Sequence, residues 1–376
     1  MTTEAEVPAT PGPASPRAAR VAQLLRPRRL TPRSWSLGTG ALLVVLLAVV
    51  AALLPVPYVV LTPGPTANTL GADGKNGDVI RITGRQTYPT SGHLQLLTVS
   101  VYGGPGSPVD LFTAVRAWFN SADAVVPRES VFPKGQTQQQ AKRENAEEMQ
   151  LSQSSAVTAA LGELHIPVSH RLVVQAVETD APAKGVLKAG DGIVSVDGSP
   201  VSDPQAVRDL IQRHQPGQRV AMVVQRNGQR VALDVPTGTG PQGKAFLGIT
   251  PAVDAVYPFK VDIRLQDVGG PSAGMMFALG IIDKLTPGSA TGGAFVAGTG
   301  TISDNGSVGP IGGIQQKLVA ARRAGATWFL APAGNCADTQ GDVPRGLRVV
   351  EVSTLHAAVQ ALAAISSGTG ASLPRC

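Results

Sequence analysis

From residue 37 to residue 61 the chain carries no side chain that is charged at neutral pH, and residues 41–54 are apolar without a break. The 41–54 run alone is of a length that also suits a signal-peptide core or a buried helix. Residues 56–61 extend it toward the roughly 20 residues that cross a bilayer, so residues 37–61 are expected to form a transmembrane helix. The flank lacks a small-x-small cleavage site, which favours a retained anchor over a removed leader. Before it stand six arginines (Arg17, Arg20, Arg26, Arg28, Arg29 and Arg33) against Glu4 and Glu6. That bias puts the N-terminus in the cytoplasm and everything after residue 62 outside. Residues 1–36, rich in Pro, Ala, Thr and Arg, have little to bury and read as a disordered basic tail.

That tail accounts for most of the net charge of +6, so the remainder is close to neutral. With 15% charged and 4% aromatic residues, the chain does not have the make-up of a nucleic-acid binder. The length of 376 residues fits two or three domains, and 43% hydrophobic residues supply their cores.

The chemistry concentrates in residues 269–324. Val261, Ile263 and Leu265 alternate with Asp262 and Arg264 as in a strand, then Gly269-Gly270-Pro271-Ser272-Ala273-Gly274 leads into an apolar run of helical length. Ser272 is thus placed at a loop-to-helix junction, where amides without intrahelical partners can stabilise an oxyanion, with Gly270, Ala273 and Gly274 as the candidate positions. Serine after Gly-Pro is equally a good helix N-cap. In a helix over residues 314–324, Ile314, Leu318, Ala321 and Gly325 share one face, and Gln315, Gln316, Arg322 and Arg323 the other. Lys317 falls on the apolar side, where lost hydration lowers its pKa and suits it to be a base for a serine hydroxyl. The alternative is a lysine that snorkels past the alanines to water.

Gly-Pro-Ser-Ala-Gly, then Gly298-Thr299-Gly300-Thr301-Ile302, then Pro310-Ile311-Gly312-Gly313-Ile314-Gln315-Gln316-Lys317-Leu318 resembles the proteolytic domain of Lon-type serine proteases, in order and spacing. The resemblance implies Ser272 as nucleophile, Lys317 as base and Thr299 as the residue that places the lysine. It also raises a homo-oligomeric ring of subunits. One departure stands out: many Lon proteases carry an acid three positions before the serine, where this chain has Gly269, with the nearest acid at Asp267.

Residues 172–236 form a different unit: a strand over 173–177, a small helix and turn over 181–191, a strand over 193–198, a helix over 204–213, and a hairpin about Asn227-Gly228. This order, with Lys188-Ala189-Gly190-Asp191-x-Ile193-Val194-x-Val196-Asp197-Gly198, resembles a PDZ domain, which takes a peptide as an added strand beside a hydrophobic-Gly-hydrophobic loop. The candidate loop, Phe246-Leu247-Gly248-Ile249, follows the last strand, as in a permuted arrangement. The other reading makes it the first strand of the protease half.

Residues 62–166 are less legible. Thr62-Pro63-Gly64-Pro65-Thr66 reads as a turn-rich exit from the membrane, with strands over 79–83 and 94–101 and helices over 109–119 and 147–164. The strands and the second helix loosely resemble the N-terminal half of the Lon proteolytic domain. The expected architecture is α+β: a tail over 1–36, a span over 37–61, the first protease segment over 62–166, a PDZ insert over 167–237, the Lon-like domain over 238–366, and a tail over 367–376.

No Gly-x-x-x-x-Gly-Lys-Ser/Thr stretch is present, so no ATPase partner domain and no cofactor are expected. Five scattered histidines and two cysteines make a metal site unexpected. In an oxidising compartment Cys336 and Cys376 are expected to pair, closing about 40 residues. The alternative is a buried, inert Cys336 with a free terminal thiol. The functional expectation is an ATP-independent, membrane-anchored endopeptidase acting on protein or peptide substrates outside the cytoplasm, its PDZ domain selecting them. The competing expectation is a non-catalytic PDZ scaffold at the outer membrane face.

Overall fold

The computed structural model describes residues 32–72, 77–265 and 268–376. The expected basic tail lies outside them as far as residue 31, and so does Asp267. The last positions of that tail are helical, because helix α1 runs Pro32–Leu53. Within it Trp35–Leu53, with a mean hydropathy of 2.5, is long and apolar enough to cross a membrane or to serve as a signal sequence. The helix stops before Pro55, and residues 56–61 do not prolong it.

Residues 58–61 enter strand β1, Tyr58–Asn68, instead. The prolines that read as a turn sit within this strand, at a register shift between Pro63 and Thr66. A bulge is where a strand tolerates residues that cannot donate. Gly64 is required there, since a Cβ would lie 2.4 Å from Thr98 Oγ1. β1 pairs antiparallel with β2, His93–Tyr102. After β2, Pro55–Val56 pairs with Val109–Asp110, and Asp110 caps helix α2, Leu111–Trp118, by accepting the Thr113 amide at 2.9 Å. Strand β3, Ala124–Pro127, closes the far edge of the sheet on β1. Helix α3 then runs Gln138–Glu163, nine residues earlier than the apolar periodicity begins. Its start is a capping box between Thr137 and Gln140.

The inserted unit comprises β4 (Ser169–Val177), β5 (Gly192–Val196), α4 (Pro204–Ile211), β6 (Arg219–Arg226), β7 (Gln229–Pro236) and β8 (Ile249–Val256). The sheet order is β7-β6-β5-β4-β8, so the unit extends past the expected boundary at 237. Residues 181–191 form turns and no helix, since Pro182 and the positive φ of Gly185 and Gly190 interrupt it. Asp191 closes that turn: it accepts from the Lys188 amide and from Arg226 at 2.8 and 2.7 Å while almost fully buried. β8 pairs along its length with β4, from Ile249↔Val177 to Val256↔Ser169. Directly after β8, the Tyr257 hydroxyl lies 3.1 Å from Ser154 Oγ and 3.0 Å from Thr158 Oγ1, both on α3.

The chain leaves the inserted unit and rejoins the first segment at Lys260–Ile263, which pairs with Ile80–Thr83. Helix α5 (Gly274–Leu285), β9 (Phe295–Gly298), α6 (Ile314–Ala324), β10 (Trp328–Pro332), β11 (Arg348–Val352) and α7 (Leu355–Ser366) follow. The six strands lie in the order β11-β10-β9-β2-β1-β3, with β2, β9, β10 and β11 parallel. Alternation along the strands divides the core. Leu94, Leu96, Val296, Leu330 and Val350 face α3, α5 and α7, and Leu97, Ala297, Phe329 and Val349 face α6. The result is three layers, with α5 buried on all sides. A disulfide joins Cys336 to Cys376, and Arg375 forms a bridge with Val350 of β11.

Candidate active site

Ser272 lies at the foot of α5, but the helix cap is Ala273 and no side chain caps it. The serine hydroxyl is therefore free of the N-cap role. The loop that carries it is held to α3: the Gly270 amide donates to the Asn145 carbonyl at 3.1 Å, and Ser152 Oγ donates to the Pro271 carbonyl at 2.9 Å. Gly274 lets α5 approach, since a Cβ there would lie 2.7 Å from Ile302 Cγ2 and 2.8 Å from Ser152 Oγ.

Helix α6 starts after Gly313, which takes a left-handed conformation (φ 68°). From this helix Lys317 reaches inward with 2% of its surface exposed. Its Nζ donates to Ser272 Oγ and to Thr299 Oγ1, each at 2.9 Å, and Thr299 Oγ1 donates to the Ser272 carbonyl at 2.9 Å. Burial lowers the Lys317 pKa to about 7. Among the described residues no carboxylate pairs with it to restore the charge. The two-face reading of α6 needs one correction: Gln316 is buried with Lys317, while Gln315, Arg322 and Arg323 are exposed. The helix sinks deeper against β1 and β2 than a single apolar stripe implies.

Of the candidate oxyanion positions, Gly270 has its amide engaged by Asn145, and the Gly274 amide makes a long 3.4 Å bond to the Pro271 carbonyl. The amides of Ser272 and Ala273 have no acceptor among the described residues. Ser272 was not among the sequence candidates for that role.

Ser272 and Lys317 open on a cleft of about 670 Å³, lined also by residues 97–102 of β2, by Asn145 and Glu148 of α3, and by Gly312. β9 pairs with residues 93–96 of β2, so residues 97–102 have, among the described residues, a strand partner on one side alone. A larger cavity, about 950 Å³, contains neither Ser272 nor Lys317 but shares Val101, Tyr102, Asn145 and Glu148 with the cleft and continues it to Thr113 of α2. Asn145 and Glu148 escaped the sequence reading because the first turns of α3 are polar and carry no periodic signal. The capping box at Thr137 was the signal available.

Phe246, Leu247, Gly248 and Ile249 lie together elsewhere, at a groove of about 490 Å³ between α4 and the start of β8, with Val207, Ile211 and Gln212 on the helix side. The loop leads at Ile249 into β8, the edge strand of the inserted sheet, and is not the first strand of the protease half.

Residues 147–237 match the PDZ domain family, and residues 266–364 match the C-terminal proteolytic domain of Lon protease. The first match stops before β8. Lon protease 1 of Bacillus subtilis is 38% identical over 104 residues, 27% of this chain and 13% of that protein. The Lon protease of Azospirillum brasilense is 43% identical over 89 residues, 23% of this chain and 11% of its own length. Among solved structures, the PDZ domain of an SdrC-like protein from Listeria innocua is 26% identical over 22% of this chain and 92% of that one, with a TM-score of 0.21. The matched segments are thus a small part of those Lon proteases. They support a PDZ-containing chain with a Lon-type proteolytic domain.

Proposed function

We propose that this chain is a serine endopeptidase held in the membrane by α1, working outside the cytoplasm without ATP, with Ser272 and Lys317 as its dyad. The observation that carries the reading is the lysine. It is buried, unpaired by any carboxylate among the described residues, brought to a pKa of about 7, and 2.9 Å from a serine hydroxyl that caps no helix.

In its neutral form Lys317 Nζ takes the Ser272 proton across that contact while Oγ bonds to the peptide carbonyl carbon. The oxyanion forms beside the free amides of Ser272 and Ala273. Collapse breaks the C–N bond, and the departing amine takes the proton from Lys317. Water then attacks the ester with Lys317 as base again, releasing the acid and restoring Ser272. Thr299 keeps the amine aimed at Oγ. Substrate fits as a strand along the unpaired edge of residues 97–102, and a second segment of the same polypeptide fits beside β8 in the α4 groove.

The test uses the full chain in detergent, without nucleotide, and a peptide ester. The expected result is one acyl group per chain, mapped by mass to Ser272, formed faster as pH rises through about 7. A chain that binds peptide in the α4 groove yet gains no acyl group and cuts no peptide at pH 9 is the scaffold instead.

A further inference from the structure

Helix α2 is built inside out. Ala114 and Ala117 face inward onto Val60 and Val109, while Phe112, Val115, Trp118 and Phe119 point outward, 62, 43, 79 and 87% exposed. An ordinary surface helix buries its large apolar side chains and shows polar ones. Positions 112, 115 and 118–119 lie on one face at helical spacing, so the exposed surface is a continuous patch and not scattered residues.

Its place in the fold says what covers it. The Leu111 amide donates to the carbonyl of Leu54, one residue beyond the end of α1, at 3.0 Å. Pro55–Val56 pairs with Val109–Asp110 on the other side of that link. The patch therefore starts where the apolar helix ends, and it has no freedom to sit elsewhere along that axis. Large aromatic residues at such a level are the side chains that settle among lipid headgroups and upper acyl chains.

We infer that α2 is an interfacial foot: its Phe112–Val115–Trp118–Phe119 face inserts into the outer surface of the bilayer that α1 spans. The inference rests on the reading of α1 as a retained membrane anchor. The opposite flank of α2 carries Asp110 and Thr113, which line the larger cavity that runs into the Ser272 cleft. Seating the foot sets this mouth of the cleft against the membrane, where the polypeptide at hand is the stretch of a neighbouring protein that has just left the bilayer.

The test uses the full chain with Trp35→Phe, reconstituted in nanodiscs of ordinary or brominated phosphatidylcholine, bromine carried high on the acyl chain. The Trp118 emission is the difference from the same chain with Trp118→Tyr, which leaves Trp328 as a common background. Both substitutions lie at exposed positions and disturb no core. The expected result is at least twofold quenching of the Trp118 signal by brominated lipid, with little quenching by aqueous iodide. Equal emission in both lipids with strong iodide quenching overturns the inference, provided the chain resists carbonate extraction. Emission shielded from both quenchers, with copy-to-copy cross-links, assigns the patch to a second chain and also overturns it. A chain extracted by carbonate brings down the anchor reading itself, and the foot with it.

Discussion

Alanine at position 272 should leave a folded chain whose peptidase rate falls by roughly four to six orders of magnitude, as the proposed nucleophile requires. The fold should survive because Ser272 caps no helix and, among the described residues, its Oγ has one side-chain hydrogen bond, from Lys317. The amine keeps its bond to Thr299. Lys317→Ala should cause a loss of similar size, and the double variant should be scarcely worse than either, because in the proposed mechanism nucleophile and base act in one step. Wild-type activity should rise as pH passes through about 7, because only the neutral amine can accept the proton. An ordinary lysine would put that rise near 10.4. Rates are measured on an unfolded polypeptide, with circular dichroism to show that each variant is folded. Undiminished cleavage by a folded Ser272→Ala chain sinks the dyad.

Lys317→Met should make the protease half more stable while inactivating it. The sign follows from proton binding. The folded-state pKa is lowered to about 7 from 10.5, so between these values the unfolded chain binds more protons and stability rises with pH. Below about 7 the amine is charged in both states, and the full cost of burying it is present. Above about 10.5 it is neutral in both, and that cost is gone. A separation of 10.5 against about 7 corresponds to a ceiling of roughly 5 kcal/mol. The two hydrogen bonds lost with the amine offset part of it, so a gain of about 2–3 kcal/mol is expected at pH 6. Denaturant unfolding of both chains at pH 6 and pH 10.5 measures this. At the higher pH the burial cost is nearly gone while the two hydrogen bonds are still missing, so the difference should reverse and the variant become the less stable chain; an equal difference at both would mean that the lysine is not buried as a strained charge.

What the sequence disclosed follows from which forces are local. Ser272 and Lys317 could be read together because short Gly-rich segments fix backbone shape locally, and because a helix's inward face is written in its own residues. The long apolar helix was legible for the same reason, although its frame slid toward Trp35. Strand β1 was not, because Pro63-Gly64-Pro65 carries every local mark of a turn and is strand only through pairing with β2. Strand β8 likewise owes its membership of the inserted sheet to β4, some eighty residues earlier. Asn145 and Glu148 line the cleft from polar turns of α3, whose relation to Ser272 is purely tertiary. The engaged amide of Gly270 was equally invisible, since its acceptor is a carbonyl of α3.

The inserted unit leaves and rejoins the protease half by two strands zipped to each other, and Tyr257 bolts the return strand to α3. Its attachment is therefore a mast, not a tether. Ser154 and Thr158 of α3 supply the mast's footing, and Asn145 and Glu148, nearer the helix start, supply a wall of the cleft. The helix between residues 145 and 158 is about 20 Å long, a distance that an extended polypeptide covers in about six residues. A polypeptide gripped at the α4 groove would then meet Ser272 only with a stretch some way along its length. On the function proposed above, this separation would set a minimum length between a gripped end and the bond that is cut, which the mass of the short product reports. Peptides too short to span it must find the serine without help from the groove.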